Sequence, residues 1–242
     1  MDGGFAPSPE IQKKRKCCVC WIANVGKGPL QVDVLKKLDH EGTGGMDRLN
    51  EILVALQDEQ DQLKKTLTFL AILTKRLEPY EIKPILVGGR ALEFYTLGGY
   101  ATKDIDLVID GRERAQEIIE DMGFLRHLGD RHWYHEDLDL AVEIPDYFLA
   151  GSMEQIVTVH VNGMEAYIIG VEDLILDRLA AAKFWKSESD FEWAINLLDL
   201  HEKNINWKYL KKAAKKAEVK NVLVKAIRKY KTIKKIRDND DI

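Results

Sequence analysis

Cysteine is scarce in this 242-residue chain, and the three cysteines lie together as Cys17, Cys18 and Cys20. No distant cysteine can pair with them, and a chain of this length can bury a core without disulfides. This usage is typical of an intracellular protein, so we expect a cytoplasmic location. The C-C-x-C spacing also lacks the paired ligand knuckles of common zinc sites, even with His40 nearby, which argues against zinc here.

Long hydrophobic runs and a strong net charge are absent as well. The segment "KKRKCCVCWIANV" joins a basic start to an apolar run of about nine residues, which is too short for a membrane span. It has no clear cleavage site, so we expect neither an anchor nor a signal peptide, and no membrane partner. The net charge of −4 argues against a protein that coats nucleic acid with its whole surface, but it leaves local basic patches open.

The hydrophobic pattern divides the chain into three regions. Residues 1–45 form an N-terminal extension of uncertain structure. Residues 46–170 begin with an amphipathic helical pattern, and short strands and helices then alternate before two hairpins, the second turning at Asn162 and Gly163. Residues 171–242 are helical in pattern. The expected fold class is therefore α+β, a mixed sheet flanked by helices with a helical C-terminal portion.

Two short motifs in the middle region carry the chemistry. In "DIDLVID", Asp104 and Asp106 alternate with apolar residues, so both carboxylates face the same side of a strand. Their repulsion is tolerable if a divalent cation lies between them, and Mg²⁺ prefers such oxygens together with phosphate oxygens. In "LVGGRALEFY", Gly88 and Gly89 separate a strand from a helix, where a bare backbone and free N–H groups can receive phosphate. Together the motifs indicate metal-assisted chemistry on a nucleoside triphosphate.

In this order, the two motifs resemble those of the nucleotidyltransferase superfamily to which DNA polymerase beta belongs. The likeness is firm from Ile85 to Ile109 and looser to about residue 200, where the helical tail looks like that of small bacterial and archaeal members, including antitoxin and abortive-infection types. The resemblance implies a nucleotidyltransferase-like sheet, two Mg²⁺ ions held by Asp104 and Asp106, and an NTP donor, for which we expect ATP.

The resemblance also implies a third carboxylate from a later strand. Glu143 and Asp139 are the candidates, because alternation places both on one face of the strand "LDLAVEI". We favour Glu143, since "VEIP" looks like the "VEFP" of small family members. Three basic residues are expected to neutralise phosphate charge or reach the nucleotide, with solvent-exposed roles as the alternative: Arg90, Lys103 and Lys183.

Other features leave alternatives open. Four aromatic residues of the tail are expected in the core, with a base-stacking wall as the alternative: Phe184, Trp185, Phe191 and Trp193. The lysine-rich end is compatible with contact to RNA or an acidic partner, or with the wet side of a helix. His132 and His135 fall on opposite faces of a strand, so we expect no metal pair there. The acceptor is not encoded in a recognisable motif; a toxin protein, a tRNA and a small molecule all fit, as does a catalytically inactive, antitoxin-like binding module.

Overall fold

The structure of the chain, a computed structural model, describes residues 30–32, 45–127 and 130–240. The cysteines and the segment "KKRKCCVCWIANV" lie outside the described residues, and the expectations for them stay predictions. The same holds for the division of the chain at residues 45 and 170.

The leucine-rich segment after Met46 forms two helices rather than one. Helix α1 spans Gly45–Ala55, a 3-10 turn covers Leu56–Asp58, and α2 spans Gln62–Leu77. Asp61 separates them, because its side chain accepts the Lys64 N–H at 3.1 Å and caps α2. Most of α2 is buried, including Thr66 and Thr68 beside its leucines, so it lies in the core rather than presenting one stripe to it.

Seven strands form one mixed sheet in the described part of the chain, in the order β1-β6-β7-β2-β3-β5-β4. Their bounds are β1 Leu30–Val32, β2 Ile85–Leu86, β3 Asp104–Val108, β4 His132–His135, β5 Leu140–Asp146, β6 Val157–Val161 and β7 Met164–Ile168. Pairs β1/β6, β2/β7 and β3/β5 are parallel, and β2/β3, β4/β5 and β6/β7 are antiparallel. The two predicted hairpins are β4–β5 and β6–β7, and Asn162 and Gly163 both have positive φ, as a tight hairpin turn requires.

Six further α-helices lie in the described part of the chain, and the α+β expectation is confirmed. They are α3 Gly88–Tyr95, α4 Arg112–Asp121, α5 Val171–Phe184, α6 Glu188–His201, α7 Trp207–Lys216 and α8 Lys220–Asp240. On α4, Ala115, Ile118 and Ile119 are buried, as is Met122 directly after the helix. Within the ranges that the structure covers, no helix combines the length and apolar character needed to cross a bilayer.

One hydrophobic cluster runs from Leu49 on α1 to Tyr230 on α8 and so joins the sheet to the C-terminal helices. His201 strengthens this junction, since its buried ring nitrogen Nε2 lies 2.9 Å from the Tyr95 carbonyl oxygen. The core prediction for two tail aromatics is wrong: Trp185 is 84% exposed and Phe184 is 53% exposed, because both lie at the end of α5 beyond the packed helices. Phe191 and Trp193 do pack against the core.

Candidate active site

Strand pairing brings three carboxylates to one face of the sheet. On β3, Asp104 and Asp106 alternate with the fully buried Ile105, so both point away from the core. In the parallel pairing of β3 with β5, Asp106 is the direct partner of Glu143. Because neighbouring strands lie about 4.8 Å apart, the backbones of these two residues are close and their side chains share a face.

The glycine corner lies directly against Asp106. The chain leaves β2 at Leu86 and enters α3 at Gly88, whose φ of +62° is in the left-handed region. A Cβ on Gly88 would lie 2.8 Å from Asp106 Cγ and would overlap its Oδ2. The Gly89 N–H donates to the Asp106 carboxylate, and the Val87 N–H donates to the Asp106 carbonyl at 2.9 Å. The start of α3 and the middle of β3 therefore form one rigid corner.

The charge at this corner is only partly compensated. Burial raises the pKa of Asp106, and the nearby negative charges of Glu143 and Asp104 raise it further. The Gly89 N–H and the more distant Arg178 act in the opposite direction without cancelling the rise. A carboxylate whose pKa is raised by burial and by like charges in a cleft is typical of a functional site.

A cavity of 210 Å³ opens at Asp106, between the sheet and helix α5. Its walls include Gly88, Asp177, Arg178 and the loop residues Phe148 and Leu149. Arg178 is held in place by ion pairs with Asp177 and, at 2.8 Å, with Asp190 of α6. The sequence spacing of Asp177 and Arg178 with Lys183 and Lys186 predicts one charged helix face, either in reach of a triphosphate or an acceptor or open to solvent. Tertiary packing brings Asp177 and Arg178 to the same cavity as Asp106.

Glu143 is turned toward strand β4 in this structure. Its Oε2 lies 3.2 Å from His132 Nε2, and its Oε1 lies 3.7 Å from a guanidinium nitrogen of Arg131. His132 is its register partner in the β4–β5 hairpin, whereas His135 packs against Phe124. Across the described residues, no three acidic, His or Cys side chains are gathered in a metal-holding arrangement.

Asp139 does not lie on the strand, contrary to the alternation argument. It precedes β5, in the turn that follows β4, with φ of +49°, and its carboxylate accepts the Tyr134 hydroxyl at 3.0 Å. The turn ends two residues later than the pattern indicated, so the strand begins at Leu140 rather than at Leu138. Of the two candidates for a third carboxylate, Glu143 is the one that the sheet places beside Asp106.

The three predicted basic residues have different surroundings. Arg90 is buried; it pairs with Glu93 at 2.7 Å and donates to the Lys103 carbonyl at 3.3 Å, so it fixes the chain that enters β3. Lys103 is exposed immediately before Asp104. Lys183 donates to the Glu218 carbonyl at 2.7 Å, which directs it to the turn between α7 and α8 rather than to the carboxylates.

A mixed sheet that sets an Asp-x-Asp strand against a glycine-lined helix start defines the nucleotidyltransferase class of fold. The chain belongs to the family described as nucleotidyltransferase of unknown function, DUF6036, whose model matches residues 61–240. The resemblance read from the sequence is thereby confirmed. A comparison with curated proteins gives no match.

Two solved structures are similar at low identity. An antigenic nucleotidyltransferase-like protein from Paracoccidioides brasiliensis is 16% identical, with a TM-score of 0.46 over 70% of this chain and 93% of its own. The antibiotic-resistance factor ANT(2'')-Ia is 17% identical, with a TM-score of 0.36 over 72% of this chain and 99% of its own. At these scores neither supports a conclusion about substrate or mechanism.

Proposed function

We propose that the protein is a Mg²⁺-dependent nucleotidyltransferase that moves a nucleoside monophosphate from an NTP, with ATP as the favoured donor, to an acceptor hydroxyl. The observation that carries the proposal is the pairing of Asp106 with Glu143, beside Asp104, at a corner where Gly88 has no room for a side chain. The family supports nucleotidyl transfer in general.

The donor set at this corner fits Mg²⁺. Hard carboxylate oxygens are what Mg²⁺ prefers, and within the described chain neither Asp104 nor Asp106 forms an ion pair with a basic side chain. The raised pKa of Asp106 marks negative charge that a cation would relieve. Asp104, Asp106 and Glu143 would hold two ions, Glu143 after leaving His132 and Arg131. When bound, the ions supply neutralisation of the triphosphate and a more acidic acceptor hydroxyl.

The chain's own groups divide the remaining work. The bare backbone of Gly88 and Gly89 lets the phosphates approach closely, and exposed Lys103 adds positive charge beside them. The other N–H groups at the start of α3 receive phosphate oxygens, since the Gly89 N–H already donates to Asp106. The acceptor oxygen forms a bond to the α-phosphorus while the α–β bridging bond breaks and pyrophosphate leaves with the electron pair. Glu143 helps to take the hydroxyl proton. Arg90 and Lys183 are the weaker candidates, since both already have protein partners.

The test incubates the protein with Mg²⁺ and labelled ATP, CTP, GTP and UTP, first without an acceptor and then with tRNA or with lysate proteins. A toxin that serves as acceptor would be among the lysate proteins. Mg²⁺-dependent label on a macromolecule is the expected result. Asp104→Asn should abolish it with an unchanged melting temperature, whereas Asp58→Asn, an exposed aspartate outside the site, should not. Transfer by Asp104→Asn at the wild-type rate would overturn the assignment.

A second candidate is a catalytically inactive, antitoxin-like module that binds a partner. The engagement of Glu143 by His132 and Arg131 favours it, because a third carboxylate turned toward β4 is not available to a metal. Absence of transfer with every acceptor, together with absence of Mg²⁺-dependent nucleotide binding, would establish this alternative.

A further inference from the structure

The C-terminal helices carry a positive charge that the rest of the chain does not. Between residues 207 and 240 there are thirteen Lys and Arg against three Asp and Glu, in a chain whose net charge is −4. On α7, five lysines follow the spacing of a single helical face, and all are exposed: Lys208, Lys211, Lys212, Lys215 and Lys216. The opposite face, with Leu210 and Ala214, is buried. We call these five residues the lysine face; it spans about 12 Å along the helix.

An exposed aromatic pair lies at the end of α5, which is tied to the turn that follows the lysine face. Trp185 and Phe184 end helix α5 and are largely open to solvent. The neighbouring Lys183 donates to the Glu218 carbonyl, which holds the end of α5 against the turn that follows α7. The indole of Trp185 has no packing role, and Lys183 and Lys186 flank it in the chain. An exposed indole and lysines are the combination with which proteins stack unpaired bases and contact their phosphates.

The lysine face also borders the candidate active site. Lys216 lines a cavity of 410 Å³ that shares Leu149, Ala150 and Asp177 with the cavity at Asp106. Helix α7 is fixed there, because the Tyr209 hydroxyl donates to Asp173 of α5 at 2.6 Å. From Asp177 to Trp185 the distance along α5 is about 12 Å. A chain bound on the lysine face can therefore reach the carboxylates with its end.

We propose that the lysine face and Trp185 bind an RNA with an unpaired 3′ end and present its terminal hydroxyl as the acceptor. The inference rests on the proposed function. The exposed indole favours RNA over an acidic protein, because an acidic peptide offers charge without bases to stack. The hydroxyl oxygen then forms the bond to the α-phosphorus, its proton passes to Glu143 or water, and pyrophosphate leaves.

Binding is measured by fluorescence anisotropy with a labelled RNA hairpin that has four unpaired 3′ nucleotides, and with the same hairpin made blunt. If about three phosphates are neutralised, affinity should fall roughly 20-fold between 50 and 200 mM KCl. Lys212→Glu/Lys216→Glu should weaken binding and flatten this salt dependence. The control Arg48→Glu/Arg112→Glu changes the charge equally at exposed positions of α1 and α4 and should leave binding unchanged.

Trp185→Ala tests the stacking role. It should weaken binding of the hairpin with the overhang by about 5- to 150-fold and leave the blunt hairpin unaffected. Tyr80→Ala, a half-exposed aromatic elsewhere, is the matched control. Equal binding of both hairpins by wild type and Trp185→Ala would overturn the proposal that unpaired 3′ nucleotides are bound. Competition by polyglutamate as effective as that by RNA would overturn it in favour of an acidic partner.

Transfer to the same RNA separates the two proposals. The expected result is label on the overhang, with a higher KM but a similar kcat in Lys212→Glu/Lys216→Glu. Label on lysate proteins or small molecules but not on RNA would overturn the RNA inference and leave nucleotidyl transfer standing. If wild type and Asp104→Asn both bind the overhang RNA tightly but no acceptor is labelled, the proposed catalysis is overturned and the RNA site is retained.

Discussion

Replacement of Gly88 by alanine tests whether the glycine corner serves the carboxylates. Gly88 has φ of +62°, and the added Cβ would lie 2.8 Å from Asp106 Cγ. Carbon atoms in ordinary contact are about 3.5 Å apart or more, so the carboxyl carbon must move by roughly 0.7 Å and the overlapping Oδ2 by more. The move also disturbs the hydrogen bond from the Gly89 N–H.

The size of the effect divides into a backbone part and a steric part. A non-glycine residue in the left-handed region costs about 1–2 kcal/mol. Gly163→Ala carries only this part, because Gly163 has φ of +76° and nothing within 4 Å of the new Cβ. For a domain of this size the control should lower Tm by about 2–8 °C. Gly88→Ala should lower it further and should also reduce transfer about 100-fold, the loss typical of a 1 Å misplacement of reacting groups.

The assay is Mg²⁺-dependent transfer from labelled ATP, with thermal melts of both variants in the same buffer. Gly163→Ala should transfer at nearly the wild-type rate despite its lower Tm, so that lost stability alone does not explain an inactive Gly88→Ala. If Gly88→Ala instead retained transfer within a few-fold of the control, Asp106 would not need its present position, and the site as described would be wrong.

Two further predictions concern stability and pH. Asp106→Asn should raise the free energy of unfolding at pH 7. Because the folded-state pKa of Asp106 is raised, its carboxyl group stabilises the fold below the unfolded pKa, and this stabilisation is lost as pH rises through the folded pKa. In urea melts the gain of the variant over wild type should therefore shrink at pH 4, and an equal gain at both pH values would contradict the reasoning. Burial lowers the pKa of His201, so its stabilising contribution is present above the unfolded pKa near 6.5 and is lost as pH falls through the folded value. The urea midpoint of the wild type should therefore drop between pH 7 and pH 5, and the midpoint of the exposed control His127→Gln should drop equally. The drop should be smaller in His201→Gln. An equal drop in all three proteins would show that another group is responsible.

Local patterns were sufficient for the elements that carry the chemistry. The alternation of Asp104 and Asp106 with apolar residues depends only on the two-residue period of a strand, and Asn162-Gly163 depends only on the backbone freedom of two turn residues. Both features appear in the structure as predicted. The break between α1 and α2 is not visible in the leucine spacing, which continues across it; the local signal for the break is the single capping residue Asp61.

Residues that meet only through tertiary packing could not be predicted from local sequence patterns. Nothing in the spacing of Asp177 and Arg178 indicates that α5 crosses the carboxylate face of β3, since that depends on how the C-terminal helices pack on the sheet. Trp185 was expected inside because tryptophan is usually well buried, yet the helix ends before the aromatic reaches the core.

The orientation of Glu143 shows why residue identity alone does not define a catalytic site. Alternation places Glu143 on the correct face, and the parallel register with β3 sets it beside Asp106. The antiparallel register with β4 sets His132 on its other side, with Arg131 next along the chain. Glu143 thus lies between Asp106 on one side and His132 with Arg131 on the other, and under the proposed function the side that it faces, rather than its mere presence, decides whether β5 contributes to a metal site.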